Sequence, residues 1–68
     1  MENIYASSGT KVVFAHPNNG YKHDQARGSL YLIEGESYTV DFTEVGNWHT
    51  DVFLREFPGV AFNSVLFD

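Results

Sequence analysis

The chain contains no cysteine, so it can form no disulfide and has no thiolate to act as a nucleophile or metal ligand. Basic residues are also few, and Lys11, Lys22, Arg27 and Arg55 are scattered along the sequence. A nucleic-acid-binding face needs clustered cations that displace the counterions of the phosphates, so the sequence predicts no nucleic-acid partner. No apolar run approaches the roughly 20 residues that a membrane-spanning helix needs, and no membrane partner is predicted.

The N-terminal residues lack the features of a secretory signal. Residues 1–5, MENIY, have neither a cationic start nor an apolar run, so the expected location is a bacterial or phage-type cytoplasm. The charge that is present is mostly negative, because nine acidic and four basic residues give a net charge of −5. Such an acidic surface favours solubility or a basic partner.

The length predicts one small domain that covers residues 1–68. Residues 1–9 are expected to be a flexible or edge segment ahead of the first strand. A chain of this size buries only about 60% of the surface that its unfolded form exposes. Aromatic residues make up 16% of the chain, and they can compensate because each buries roughly 150–250 Å².

Strand patterns lie on both sides of one long polar stretch. Residues 10–15, TKVVFA, are β-branched and aromatic and stop shortly before a proline, which cannot donate to a sheet. Residues 17–28 are polar and rich in turn formers, so they are predicted to be a long loop. Residues 30–33 are predicted to be a short strand with Leu30 and Leu32 facing the core.

The clearest strand pattern lies in residues 37–45. Tyr38, Val40 and Phe42 alternate there with polar residues, which predicts a strand with these three side chains on one buried face. The Gly46-Asn47 pair that follows predicts a two-residue hairpin turn.

Residues 48–55 alternate again, as the second strand of that hairpin. This phase places Trp48, Val52 and Leu54 inside, on the same face as Thr50, and Phe53 outside. No window of the sequence shows helical periodicity, so the predicted class is all-β.

Two segments, GVAFNSVLFD and SLYLIEGESYTV, resemble the Src-homology-3 barrel family. In that family a Gly-apolar-aromatic stretch leads through a 3-10 turn into a short last strand, and Gly35-Glu36 resembles its diverging turn. The resemblance covers residues 10–68 and implies a small five-stranded Src-homology-3-like barrel with a short 3-10 turn before the last strand. Asn63 and Ser64 are expected to cap that turn through side-chain-to-backbone hydrogen bonds.

The same chain also resembles small bacterial and phage proteins, and that resemblance implies no activity. Members of the barrel family that bind proline-rich peptides carry a paired-tyrosine motif in the first strand, where this chain has VFAH at residues 13–16. Their last turn carries a proline and then a tyrosine, where this chain has Asn63 and Leu66. A proline-rich peptide groove is therefore not predicted.

Residues with catalytic or metal-binding chemistry are present but do not form a recognisable motif. The histidines show no short paired spacing of the kind that zinc sites use, and the serines have no nucleophile-elbow context. The carboxylates of residues 34–44 favour a solvated negative face over a catalytic pair, because so small a domain has little room for a cleft. No catalytic, cofactor-binding or metal-binding residue is predicted, and the chain is not expected to be an enzyme.

Apolar residues with outward parity predict an interaction surface. Its predicted members are Tyr31, Ile33, His49, Asp51, Phe53 and Phe57. The hypothesis is a non-catalytic protein-interaction module that self-associates, as a homodimer for example, or that is accessory to a larger partner. The alternative is a small acidic inhibitor or nucleic-acid-mimicking decoy, phage-encoded, that occupies the basic groove of a nucleic-acid-handling enzyme.

Overall fold

The computed structural model describes residues 8–68, so most of the predicted N-terminal segment of residues 1–9 lies outside the described residues. The described residues are mostly β, with one short helix and one 3-10 turn. In chain order the elements are β1 (Lys11–Val13), α1 (Lys22–Tyr31), β2 (Ser37–Val45), β3 (Thr50–Leu54), β4 (Ala61–Asn63) and the 3-10 turn (Ser64–Leu66).

The four strands form an antiparallel sheet in the order β1-β2-β3-β4. The sheet has four strands, so it does not show the predicted five-stranded closed barrel. Instead of a fifth strand, Phe67 forms a single bridge with Phe14. The amide of Val13 donates to the carbonyl of Asp68 at 2.9 Å, and the amide of Asp68 donates back at 2.9 Å. The C-terminal residues are therefore bonded directly to β1.

The helix α1 is a correction to the sequence analysis. The predicted long loop of residues 17–28 and strand of residues 30–33 are wrong, because residues 22–31 are helical. The helix has no apolar stripe. It approaches the core instead at Gly28, which is buried and has no side chain to keep the backbone away. A β-carbon added at Gly28 would lie 3.2 Å from Leu66 Cδ1 and from the ring of Phe14. Leu30, predicted to face the core, is 75% exposed.

The core contains residues from every strand and from the C-terminal segment. Its buried apolar members are Val12, Phe14, Leu32, Tyr38, Val40, Val52, Leu54, Phe62, Leu66 and Phe67, and Phe57 and Val60 pack against them. Asn63 caps the 3-10 turn as predicted, because its side chain accepts a hydrogen bond from the amide of Val65 at 3.1 Å. The apolar end of the sequence is thus part of the core.

A β-bulge in β2 reverses the predicted orientation of Phe42. Val40 pairs with Leu54, but Phe42 pairs with the next residue of β3, Phe53, so Asp41 is an extra residue in β2. Because side chains alternate along a strand, one extra residue moves every later side chain to the other face. Phe42 therefore points outward with Phe53, and its predicted burial with Tyr38 and Val40 is wrong.

Trp48 is a second correction, because it is 90% exposed instead of buried. The predicted phase is right within β3, where Thr50, Val52 and Leu54 are all buried. Trp48 lies before that strand, in the connection of residues 46–49, where strand alternation does not apply. β2 ends at Val45 and β3 begins at Thr50, so four residues connect the strands where a two-residue turn was predicted, and the amide of Gly46 donates to the carbonyl of His49 at 2.8 Å across them.

Candidate protein-binding surface

The outer face of the β2–β3 hairpin carries a stacked pair of phenylalanines. The rings of Phe42 and Phe53 lie 4.3 Å apart between centroids and are inclined by 11°. Phe42 is 45% exposed, although the inner face of the same sheet buries its aromatic residues. We use the name hairpin face for the outward side chains of Phe42, Glu44, His49, Asp51 and Phe53.

Acidic side chains lie next to this aromatic pair. Glu44 and Asp51 are direct cross-strand partners in the row that follows Phe42 and Phe53. Like charges that face each other across two strands destabilise the sheet. His49 Nε2 lies 3.0 Å from Asp51 Oδ1, so a protonated His49 neutralises part of this charge.

The hairpin ends in a second exposed apolar group. Trp48 at the tip is almost fully open to solvent, and Val45, at the end of β2, is 58% exposed. A β-carbon at Gly46 would lie 2.9 Å from the carbonyl oxygen of His49, so the tip is closed by a backbone contact that only glycine permits without a shift. This contact sets the path of the chain that presents Trp48.

The other predicted surface residues lie at the end of α1. The ring of Tyr31 lies 5.5 Å from that of Phe57 and 6.0 Å from that of the buried Phe62. Ile33 is 65% exposed, and its amide donates to the hydroxyl of Tyr38 at 2.8 Å. Tyr31 and Phe57 thus contact side chains of the inner face of the sheet.

The predicted interaction surface is therefore divided into two groups. His49, Asp51 and Phe53 lie together on the hairpin face, while Tyr31, Ile33 and Phe57 lie beside the core at the end of α1. Sequence reasoning missed two surface residues of the hairpin, Phe42 and Trp48, because both were assigned to the interior. Glu44 was expected on a solvated negative face, but its cross-strand position opposite Asp51 depends on the bulge.

Three basic residues of the described part donate side-chain hydrogen bonds to other segments of the fold. Lys11 donates to Thr39 Oγ1 at 2.7 Å, Arg27 to the carbonyl of Ala61 at 3.1 Å, and Arg55 to Ser8 Oγ at 3.0 Å. Because Arg27 is in α1 and Ala61 is in β4, the Arg27 bond joins the helix to this strand.

Two carboxylates have shifted pKa values because they accept hydrogen bonds that stabilise the fold. Burial alone would raise the pKa of Glu56, but hydrogen bonds, chiefly from the Thr39 amide at 2.9 and 3.0 Å, bring it below the usual value. The pKa of Asp68 is lowered mainly by the hydrogen bond from His16, whose Nε2 lies 3.0 Å from Asp68 Oδ1. Both bonds join segments that are distant in sequence.

Asp24 is also structural. Its Oδ2 accepts hydrogen bonds from the Tyr21 amide at 2.9 Å and from Asn63 Nδ2 at 3.1 Å. It therefore connects the start of α1 to the cap of the 3-10 turn. Within residues 8–68, no group of three or more His, Cys, Asp or Glu side chains is placed to hold a metal ion. No helix in the same range is long and apolar enough to cross a membrane.

One comparison with known proteins identifies a relative. A family model described as bacteriophage T4 protein Y07B matches residues 3–68. This confirms the coarse resemblance to small phage proteins. No curated protein and no solved structure matches the chain.

Proposed function

The chain belongs to the bacteriophage T4 protein Y07B family, and from that premise we propose that it is a non-catalytic module that binds a protein. Its contact surface is the hairpin face together with Trp48. The observation that carries this proposal is the exposure of Trp48, which is 90% open to solvent at the tip of the hairpin.

Tryptophan is the side chain most often found as an energetic anchor of protein interfaces. A domain of 68 residues has little apolar area with which to stabilise itself, yet this one leaves Trp48, Phe42 and Val45 exposed on one hairpin. Contiguous exposed apolar surface is typical of interaction sites, and the stacking of Phe42 on Phe53 makes such a surface here. A partner that binds there would bury the apolar surface that the fold itself leaves exposed.

The hairpin is also held rigidly enough to act as a preformed surface. Thr50, Val52 and Leu54 anchor its inner side in the core, and the outward side chains of β3 alternate with them. The stacking of Phe42 on Phe53 holds both rings in place. Preformed sites on strands lose less conformational entropy on binding than loops do.

The finer description of the fold that we propose is a Src-homology-3-like barrel in which the C-terminal residues act as the fifth strand. The Phe14–Phe67 bridge and the reciprocal bonds between Val13 and Asp68 support this description. The 3-10 turn precedes Phe67, as that family's last strand would require.

The test is capture of partners from phage-infected cells with the full chain as bait, together with its mass in solution. Trp48→Ala is expected to reduce capture of the specific partner by about tenfold or more, as for an interface anchor worth roughly 1.4 kcal/mol or more. The matched control is Leu30→Ala, because Leu30 is 75% exposed on α1 and lies away from the hairpin. Equal capture by wild type and Trp48→Ala would contradict the proposal.

A second candidate function uses the same surface. The facing acids Glu44 and Asp51 and the net charge of −5 favour an acidic inhibitor that occupies the basic groove of a nucleic-acid-handling enzyme. Such binding depends steeply on salt, because screening weakens attraction between exposed charges. Inhibition that persists unchanged between low and high salt would argue against it.

A further inference from the structure

We infer that the partner of the hairpin face is a cationic protein segment that places an arginine over the Phe42–Phe53 pair and directs its guanidinium to Glu44 and Asp51. The inference rests on the proposed function and identifies the chemistry of its partner. It follows from the facing carboxylates of Glu44 and Asp51 and from their position beside a stacked aromatic pair that is exposed at Phe42.

The first step is the unfavourable arrangement of the free face. Glu44 and Asp51 are direct cross-strand partners, so their β-carbons lie about 4.5–5.5 Å apart. The imidazole of His49 contacts Asp51, at 3.0 Å from its Oδ1, and the Glu44 carboxylate has no such contact within residues 8–68. A bound cation would relieve the repulsion between the two carboxylates.

The second step is the distance between the acidic row and the aromatic row. Phe42 and Glu44 are two residues apart in β2, and Asp51 and Phe53 are two apart in β3. Since a strand rises about 3.3 Å per residue, the rows lie about 6.6 Å apart on the same face. The side chain of arginine is long enough to cover both rows.

The third step distinguishes arginine from lysine. The guanidinium is planar, stacks on aromatic rings and donates to carboxylates in a fork. The ammonium of lysine is a more strongly hydrated point charge without a plane to stack. A surface made of an aromatic pair and two neighbouring carboxylates therefore favours arginine.

The same charges disfavour other occupants. In a symmetric dimer built on this face, Glu44 and Asp51 of one copy would meet the acids of the other copy. Nucleic acids and anionic lipid surfaces are repelled for the same reason. A basic protein segment is the occupant with the complementary charge.

The experiment is an NMR titration of the full chain with a capped peptide of alternating glycine and arginine, with amide shifts as the readout. We expect the largest shifts at residues 42–44 and 51–53. The lysine counterpart should bind more weakly. In the variant Glu44→Gln/Asp51→Asn the affinity for the arginine peptide should fall by about tenfold, as expected for loss of charge-assisted hydrogen bonds.

The matched control is Glu34→Gln/Glu36→Gln, which makes the same change in charge at exposed positions ahead of β2. It should lower the affinity by less than about twofold, through screened long-range attraction alone. Because the neutralised hairpin loses a repulsion, Glu44→Gln/Asp51→Asn should unfold at the same or a higher urea concentration than wild type. Its loss of binding would then not be caused by loss of the fold.

Three results would overturn the inference: equal losses in the hairpin and control variants, equal affinity for the lysine peptide, or shifts of residues 42–44 and 51–53 by anionic vesicles, duplex DNA or self-dilution. The capture experiment separates it from the proposed function. If Trp48→Ala loses the partner but Glu44→Gln/Asp51→Asn keeps it, the surface is right and its arginine chemistry is wrong. If neither variant changes capture, the proposed function itself is wrong.

Discussion

Aromatic residues are buried at one end of the long strand β2, beside β1, and exposed at its other end, in the hairpin. Near β1, the 3-10 turn and the C-terminal residues bury Phe14 and Phe67 almost completely, with their ring centroids 6.3 Å apart. In the β2–β3 hairpin, Phe42 stacks on Phe53 on the outside, and Trp48 is open to solvent. The comparison indicates that one end of the molecule stabilises the fold, while the other presents a surface.

The polar contacts follow the same division. Asp24 and Asp68 each accept hydrogen bonds that join distant segments. In the hairpin, Glu44 faces Asp51 across the strands, and His49 contacts Asp51. The first two acids thus contribute to stability, while the facing pair in the hairpin opposes it.

The largest expected difference between the two ends comes from removing one phenylalanine at each. Phe67→Ala should lower the free energy of unfolding by about 3–5 kcal/mol, because it leaves a cavity in the core. Phe42→Ala should lower it by less than about 1.5 kcal/mol, since it removes one exposed stacking contact. Urea denaturation followed by far-ultraviolet circular dichroism measures both. Similar losses in the two variants would remove the distinction between the ends.

A smaller difference is expected for aspartate. Asp24→Ala should cost about 1–3 kcal/mol, because it leaves the Tyr21 amide and the Asn63 amide group without their shared acceptor. Asp51→Ala is the matched change in the hairpin, and we expect its effect to stay within about 0.5 kcal/mol, because it removes both a contact with His49 and the repulsion from Glu44. The same denaturation series checks the pair. A cost at Asp51 equal to that at Asp24 would show that the hairpin acids also stabilise the fold.

The smallest expected effect is the pH dependence of the contact between His16 and Asp68. The pKa of Asp68 is below the usual aspartate value in the fold, chiefly because of the hydrogen bond from His16. Its contribution is therefore fully present above the unfolded-state pKa of aspartate and is lost as the pH falls through the lower folded-state pKa. We expect wild type to exceed Asp68→Asn in stability at neutral pH, with the gap closing in acid. The measurement is urea denaturation of both proteins across that range.

A gap that stays constant down to strong acid would contradict this interpretation of Asp68. Glu44→Gln serves as the control from the hairpin. Since no hydrogen bond within residues 8–68 joins the Glu44 side chain to a distant segment, its variant should not be less stable than wild type at neutral pH.

Several features of the fold could be predicted from local sequence patterns. The strand of residues 37–45 has the predicted bounds, and the phase of Thr50, Val52 and Leu54 is right. Both rest on alternation between neighbouring residues, which is a local property. The cap of the 3-10 turn by Asn63 is equally local, since its acceptor and donor are two residues apart.

The candidate site could be predicted only in part. His49, Asp51 and Phe53 were assigned to the surface from strand parity, and they lie on the hairpin face. Phe42 was missed because no residue type near Asp41 marks a bulge, and Trp48 was missed because parity was extended past the start of β3. Tyr31, Ile33 and Phe57 belong to a different part of the molecule, which sequence parity could not separate from the hairpin.

The sequence by itself determined a mostly β chain without thiol chemistry, the strand β2, the inward phase of β3 and a C-terminus joined to the core. The tertiary structure alone decided the helix α1, which the core accepts through Gly28 instead of an apolar stripe, and the orientation of Phe42, which depends on how β2 pairs with β3. The physical reason is that alternation and capping act between neighbours in the chain. Close packing and strand register are settled between residues that are far apart in it.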